Sequence, residues 1–392
     1  MRRLRSLFLA LATSFVAAAP AHAAVTPVDL GVGTKPSVVV DPAGTSHILF
    51  LPDTFGAPQY CRLPRGATAC DIRTALTDLD DFEQVWILRR DSDGVLIAVA
   101  RDTNKLWLAY SSDGGASFVP AGFNAAEVGL AETMTLAPDG QSVLAWHAGV
   151  PGQTGILLAK AAFGVPDLRF HMLADGSSPG AQRADVATLP DGRIIAGTSW
   201  SGGASWNLFD GGDPLDPSRW TKRGHIKDFW PDIDLTAGPR GVFMVEHSTA
   251  RLRRDLAHEA PLYLRTFDLR RKRWSRPQPI FEDRGDPYNR VRAAQDASGR
   301  LHVLTSVTNA NCLQYSRTGP RRRSGFGKTN VLVRRALPIA DPEFAVAPDG
   351  GGAAVWHESD RTTDQTHVLL APLQAAKGKY RPVAAERRKV CR

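Results

Sequence analysis

Acid–base and aromatic side chains recur at one kind of place in this 392-residue chain. Apolar runs with strand character end in Pro52-Asp53, Trp146-His147, Ser199-Trp200, Glu246-His247 and Trp356-His357-Glu358. Other runs begin beside Asp81, Glu132, Asp185, Asp232, Arg290, Arg292, Asp341 and Glu343. Carboxylates and imidazoles move protons, arginine grips oxyanions with a planar fork, and tryptophan offers a flat apolar face. Brought together, such groups can bind a carbohydrate or perform acid–base chemistry. The catalytic candidates are Glu246, His357, Glu358, His147, Arg292 and Tyr315; the ligand-contact candidates are Asp53, Trp146, Trp200 and His247. Taken singly, each also fits a polar strand end that satisfies a neighbouring backbone group. Whether they meet depends on the fold.

The elements that must position them form a repeat. Ala184–Trp200 reads ADVATLPDGRIIAGTSW, a strand, a Pro-Asp-Gly turn and a second strand. The same sentence turns at Gly44, Gly94, Gly140, Gly192, Gly241, Gly299 and Gly350, at steps of 46 to 58 residues. A period near fifty marks a repeat architecture. Each period holds four strands; one runs Val85–Leu88, Val95–Ala100, Leu106–Tyr110 and Ser117–Gly122. Together with the absence of helical periodicity, this predicts an all-β fold, a single seven-bladed β-propeller of four-stranded antiparallel blades. Six or eight blades fit if an end repeat is incomplete. The tight turns then share one face of the disc and the longer connections the other, where strand-end polar groups converge on a central funnel. Val25–Leu30 is expected near the last blade. The tryptophans at strand positions are expected to pack between blades.

Residues outside the repeat bound the setting. Arg2, Arg3 and Arg5, the apolar run Leu7–Ala19 and Ala21-His22-Ala23 form a secretory signal over residues 1–23, leaving the propeller domain at 24–392. Export favours disulfides among the four cysteines. Cys61 and Cys70 flank Pro64-Arg65-Gly66 symmetrically and are expected to pair, which leaves Cys312 to Cys391. No cysteine spacing fits a metal site, and no cofactor is called for. The formal charge is +8, three of it in the leader. The basic clusters read as solvated loops, with acidic polymers as possible partners. Neither a specific nucleic-acid target nor a membrane anchor is indicated, and a monomer is expected.

One turn carries a family pattern. Ser111-Ser112-Asp113-Gly114-Gly115-Ala116-Ser117-Phe118 resembles the Asp-box, Ser-x-Asp-x-Gly-x-Thr-Trp, of BNR-repeat, sialidase-like propellers. Ser111, Asp113, Gly115 and Phe118 fill its structural positions, and the turn lies between the third and fourth strands of a repeat, as in that family. The resemblance implies a scaffold. In sialidases catalysis uses an early Phe/Tyr-Arg-Ile-Pro segment, an arginine triad, an aspartate acid and a tyrosine–glutamate pair. The corresponding Gly31–Ser37 here has no arginine, and Lys35 lacks the bidentate fork.

The reading that follows is a secreted sialidase-like propeller that binds an extracellular glycan, cell-wall polymer or protein through its funnel. The alternative is a glycoside hydrolase, exo-sialidase-like, or a polysaccharide lyase acting in the same funnel. Paired carboxylates across the funnel point to hydrolysis, and a His–Tyr–Arg cluster there points to a lyase.

Overall fold

The computed structural model describes residues 26–52, 56–76, 82–102, 106–124, 130–136, 142–147, 156–161, 171–172, 183–189, 191–200, 203–212, 216–227, 233–247, 262–281, 290–307, 311–318, 326, 330–360 and 362–373. The expected leader and Cys391 lie outside them. Within them the strands fall into seven antiparallel sheets, six of four strands and one of five. We number the sheets as blades 1 to 7 by their innermost strands. These are Thr34–Val40, Gln84–Arg89, Leu130–Leu136, Arg183–Thr188, Ile233–Gly238, Val291–Gln295 and Ile339–Val346.

In each blade the first three strands run outward in chain order as hydrogen-bonded neighbours; in blade 5 both Arg273–Trp274 and Gln278–Phe281 pair with Leu262–Asp268. Each innermost strand packs against that of the next blade, and blade 7 packs against blade 1, which closes the ring. The outermost strand of blade 7 is Val28–Val32, paired with Gln365–Leu373. The first strand of the chain thus completes the last sheet. Arg65 of blade 1 adds an ion pair to Asp349 of blade 7, at 2.7 Å.

The core lies between blades. Leu49, Leu51 and Tyr60 of blade 1 pack on Val85, Ile87 and Leu96 of blade 2, and similar clusters join blades 4 to 5, 5 to 6, 6 to 7 and 7 to 1. Trp107, Trp206 and Trp356 are buried in these layers, as expected. A sheet with β-branched and small residues on both faces has no solvent face, so stacking is what hides its apolar surface.

The turn glycines adopt the left-handed conformation that the turn requires; φ at Gly192 and Gly350 is 85° and 84°. In two blades the turn is tied down by an identical Asp–His–Tyr series. Asp41, His47 and Tyr60 in blade 1 repeat as Asp296, His302 and Tyr315 in blade 6, with the same spacings. His47 Nδ1 and the Tyr60 hydroxyl are 2.8 Å apart, and His302 Nδ1 and the Tyr315 hydroxyl 2.5 Å. The other imidazole nitrogen lies 3.6 Å from Asp41 and 3.2 Å from Asp296. Burial lowers the pKa of both histidines, with the neighbouring aspartates opposing it. Cys61 and Cys70 form the expected disulfide, with Cα atoms 5.5 Å apart. Their loop is wider than a symmetrical hairpin, because Cys61 faces Arg73 in the ladder.

Ser111–Phe118 closes on itself. Asp113 accepts from the Ser111 hydroxyl at 2.8 Å, the Ser117 N–H at 3.0 Å and the Ser117 hydroxyl at 2.6 Å. The Ser117 groups, then Ser111, hold the Asp113 carboxyl down at about 2. Phe118 packs edge-on against Tyr60 of blade 1, with centroids 4.9 Å apart. The Tyr60 hydroxyl donates to the Gly114 carbonyl at 3.3 Å. Gly115 has φ 90°, and a Cβ there would lie 1.9 Å from the Tyr60 hydroxyl oxygen. Gly115→Ala should therefore cost about 2–3 kcal/mol in denaturant unfolding. Gly66→Ala, at φ 81° with open space around it, should cost only the backbone strain, about 1 kcal/mol. Equal losses would show that the Tyr60 contact contributes nothing.

Candidate functional site: the central channel

The innermost strands surround a cavity of about 650 Å³. Its middle layer follows from the repeat: Ser37, Thr133, Asp185, Asp234, Arg292 and Glu343 each stand seven residues before their turn glycine. Blade 2 has a turn one residue longer, and Trp86 takes the place. All seven line the cavity.

An innermost strand has an edge toward the axis, where its N–H groups find no further strand. The layer supplies the missing acceptors, each from the preceding blade. Ser37 Oγ accepts from the Ile87 N–H at 3.1 Å, an Asp185 oxygen from the Leu235 N–H, and Asp234 from the Ala293 N–H at 2.6 Å. Asp185 also takes the Val186 N–H at 2.8 Å and a hydrogen bond from Thr133. Between blades 6 and 7 an ion pair takes over. Arg292 donates through Nε and Nη2 to both oxygens of Glu343, at 2.8 and 2.5 Å, and its Nη1 lies 3.8 Å from Asp234. Burial raises the pKa of Asp185 and Asp234, and Arg292 opposes it; the Asp185 charge adds to the shift at Asp234.

A second group forms the mouth at the starts of these strands. Arg290 Nη2 and Asp341 Oδ1 are 3.1 Å apart, and His357 Nδ1 lies 3.9 Å from the other Asp341 oxygen. The Lys35 backbone N–H donates to the same imidazole nitrogen at 3.3 Å. Lys35 and Asp341 sit in strand bulges with φ of 49° and 43°, each just before a proline. Non-glycine residues rarely adopt this conformation, and such strain gathers at functional places. Lys35 offers its backbone here; it does not line the cavity.

The structure sorts the sequence candidates. Arg292 lies in the layer and His357 at the mouth. Glu246 lies outside the cavity lining, fully buried, with Arg265 Nε donating to Oε1 at 2.7 Å and Oε2 unpartnered among the described residues. Glu358 is buried too, accepting from Arg335 Nε and Trp356 Nε1, each at 2.8 Å. Tyr315 belongs to the turn-side series with His302. All three engage blade structure and not the channel. His147, Trp146, Trp200 and His247 end the strands expected of them, Ser142–His147, Ile194–Trp200 and Gly241–His247. Their side chains, and all of Asp53, lie outside the described residues. Ser37, Trp86, Thr133 and Asp234 were missed as site residues, although counting back from the turn glycines identifies their layer.

No protein-family model and no curated protein matches the chain. Solved structures do. A hydrazine synthase from Kuenenia stuttgartiensis has a TM-score of 0.57 at 11% identity, over 88% of this chain and 97% of that one. YCF48 bound to D1 peptide has a TM-score of 0.53 at 11% identity, over 90% and 96%. The polysaccharide lyase Uly1 has a TM-score of 0.51 at 10% identity, over 87% and 90%. The chain is a β-propeller. At such identity the likeness extends to the fold alone.

Two measurements test this account of the site. Asp185→Ala leaves the Leu235 and Val186 N–H groups without an acceptor and should cost about 1–3 kcal/mol in chemical denaturation, with Asp185→Asn costing less. Burial lifts Glu246 to about 7 from 4.5, against the opposing pull of Arg265. Its folded-state value is raised, so its contribution is complete below about pH 4.5 and is lost as pH climbs through about 7. Glu246→Gln mimics the protonated acid. Its melting temperature relative to the parent should rise between about pH 5 and about pH 8; a flat difference would remove the buried-acid assignment.

Proposed function

We propose that this protein is an exported carbohydrate-binding propeller of the BNR-repeat, sialidase-like kind, whose ligand site is the central channel. The observation that carries the reading is the layer itself: polar side chains from six blades and Trp86 from the seventh, held by backbone clasps and ion pairs, around a cavity of ligand size. Export is supported by the leader-like residues 1–23 and the Cys61–Cys70 disulfide. Kinship with the family is supported by the self-closing Ser111–Phe118 turn.

Binding without turnover is favoured because the layer's ionic groups already have structural partners, and the sialidase arginine segment is missing. No tyrosine lines the cavity among the described residues, which argues against the lyase alternative. Hydrolysis has one observation on its side: Asp185 and Asp234 share the cavity with raised pKa values. A panel of polysaccharides incubated with the purified protein separates the readings. Retention on a glycan without release of reducing ends is the expected result. Release that disappears in Asp234→Asn favours the hydrolase, and retention on none of the panel refutes a carbohydrate site.

A further inference from the structure

Among the described residues four arginines line the cavity, and each is already engaged by a carboxylate. Arg292 holds Glu343 at 2.5 Å, Arg290 holds Asp341 at 3.1 Å, Arg89 holds Asp91 at 2.5 Å, and Arg101 holds Glu83 at 3.3 Å. An acidic sugar entering here would have to take a guanidinium from its partner. Drawing Arg292 away would leave Glu343 without its bidentate partner in a confined space, which costs more than the new pair returns. Lys35 does not line the cavity and so adds no cation to it.

The layer holds one residue of another kind. Where its equivalents are Ser, Thr, Asp, Asp, Arg and Glu, blade 2 places Trp86, 8% exposed and lining the same cavity. Trp86 is largely covered, and the small part that reaches the cavity adds an apolar contact among paired polar groups; such a contact suits the C–H face of a sugar ring, while the surrounding acceptors and donors suit its hydroxyls.

We propose that the channel selects neutral, hydroxyl-rich oligosaccharides and rejects acidic ones, with Trp86 packing against a sugar ring. This rests on the carbohydrate-binding reading above and departs from the charged substrate that a sialidase-like scaffold suggests. A binding site whose charges cancel internally should also be indifferent to salt.

Isothermal titration of the purified full-length protein tests it, with cello-, xylo-, malto- and arabino-hexaose as neutral probes and sialyllactose and oligogalacturonate as acidic ones. The expected result is binding of at least one neutral probe, changing less than about twofold between about 50 and about 500 mM salt. Trp86→Ala should weaken that binding about tenfold or more, and Trp86→Phe about threefold. Melting curves establish that each variant is folded, and the Phe variant decides if the Ala variant is not. Preferential, salt-sensitive binding of the acidic probes overturns the neutral-ligand inference while leaving carbohydrate binding in place. Binding of neither class overturns both. Unaltered neutral-sugar affinity in the folded Trp86 variants places the ligand elsewhere and overturns the proposal.

Discussion

A four-stranded sheet of some fifty residues has two apolar faces and cannot hide either by itself. Everything in this molecule follows from that constraint. Blades exist only in each other's company, so their spacing and tilt are set by contacts such as Leu49 and Tyr60 against Ile87 and Leu96. Stacking in a ring then creates a problem at the axis, where seven strand edges point inward with backbone N–H groups exposed. Ser37, Asp185 and Asp234 answer it by reaching across to the next blade. The polar layer is thus first a structural necessity, and any ligand-binding capacity is built on groups that were already required.

That double duty explains which parts were legible in the amino-acid pattern. Turn glycines and alternating apolar residues are local features, and they gave the strands, the repeat and the Ser111–Phe118 turn directly. Cys61 and Cys70 were readable because a short loop joins them. The site was readable only in part. Glu246 and Glu358 stand at strand ends next to histidines, as a catalytic acid would, but Arg265 and Arg335 engage them within the blades, and nothing in the local pattern announces those arginines. Tyr315 had the same problem: its partner His302 lies one strand away, fixed by the Asp296 turn. Asp234 looked like any polar strand residue, because its role depends on an N–H in a different blade.

Within the channel, electrostatics and shape point the same way. Carboxylates removed from water resist ionisation, and guanidinium groups nearby restrain the effect without abolishing it. Arg292 sits between Glu343 and Asp234 and so links three blades through one side chain. The bulges at Lys35 and Asp341 bend two neighbouring strands at the mouth and bring His357 between them. These strained residues mark the junction of blades 7 and 1, where the ring is sealed.

That seal has a kinetic meaning. Val28 is paired with Leu370, so the ladder that joins them spans nearly the whole length of the polypeptide. Contacts between such distant residues form slowly, because the loop they close is large and nothing local rewards its closure. Until they form, blade 7 presents the bare edge of Gln365–Leu373 to its surroundings, and a bare edge invites pairing with a foreign chain. The contact of longest sequence separation and the cover for that edge therefore coincide in a single five-residue strand.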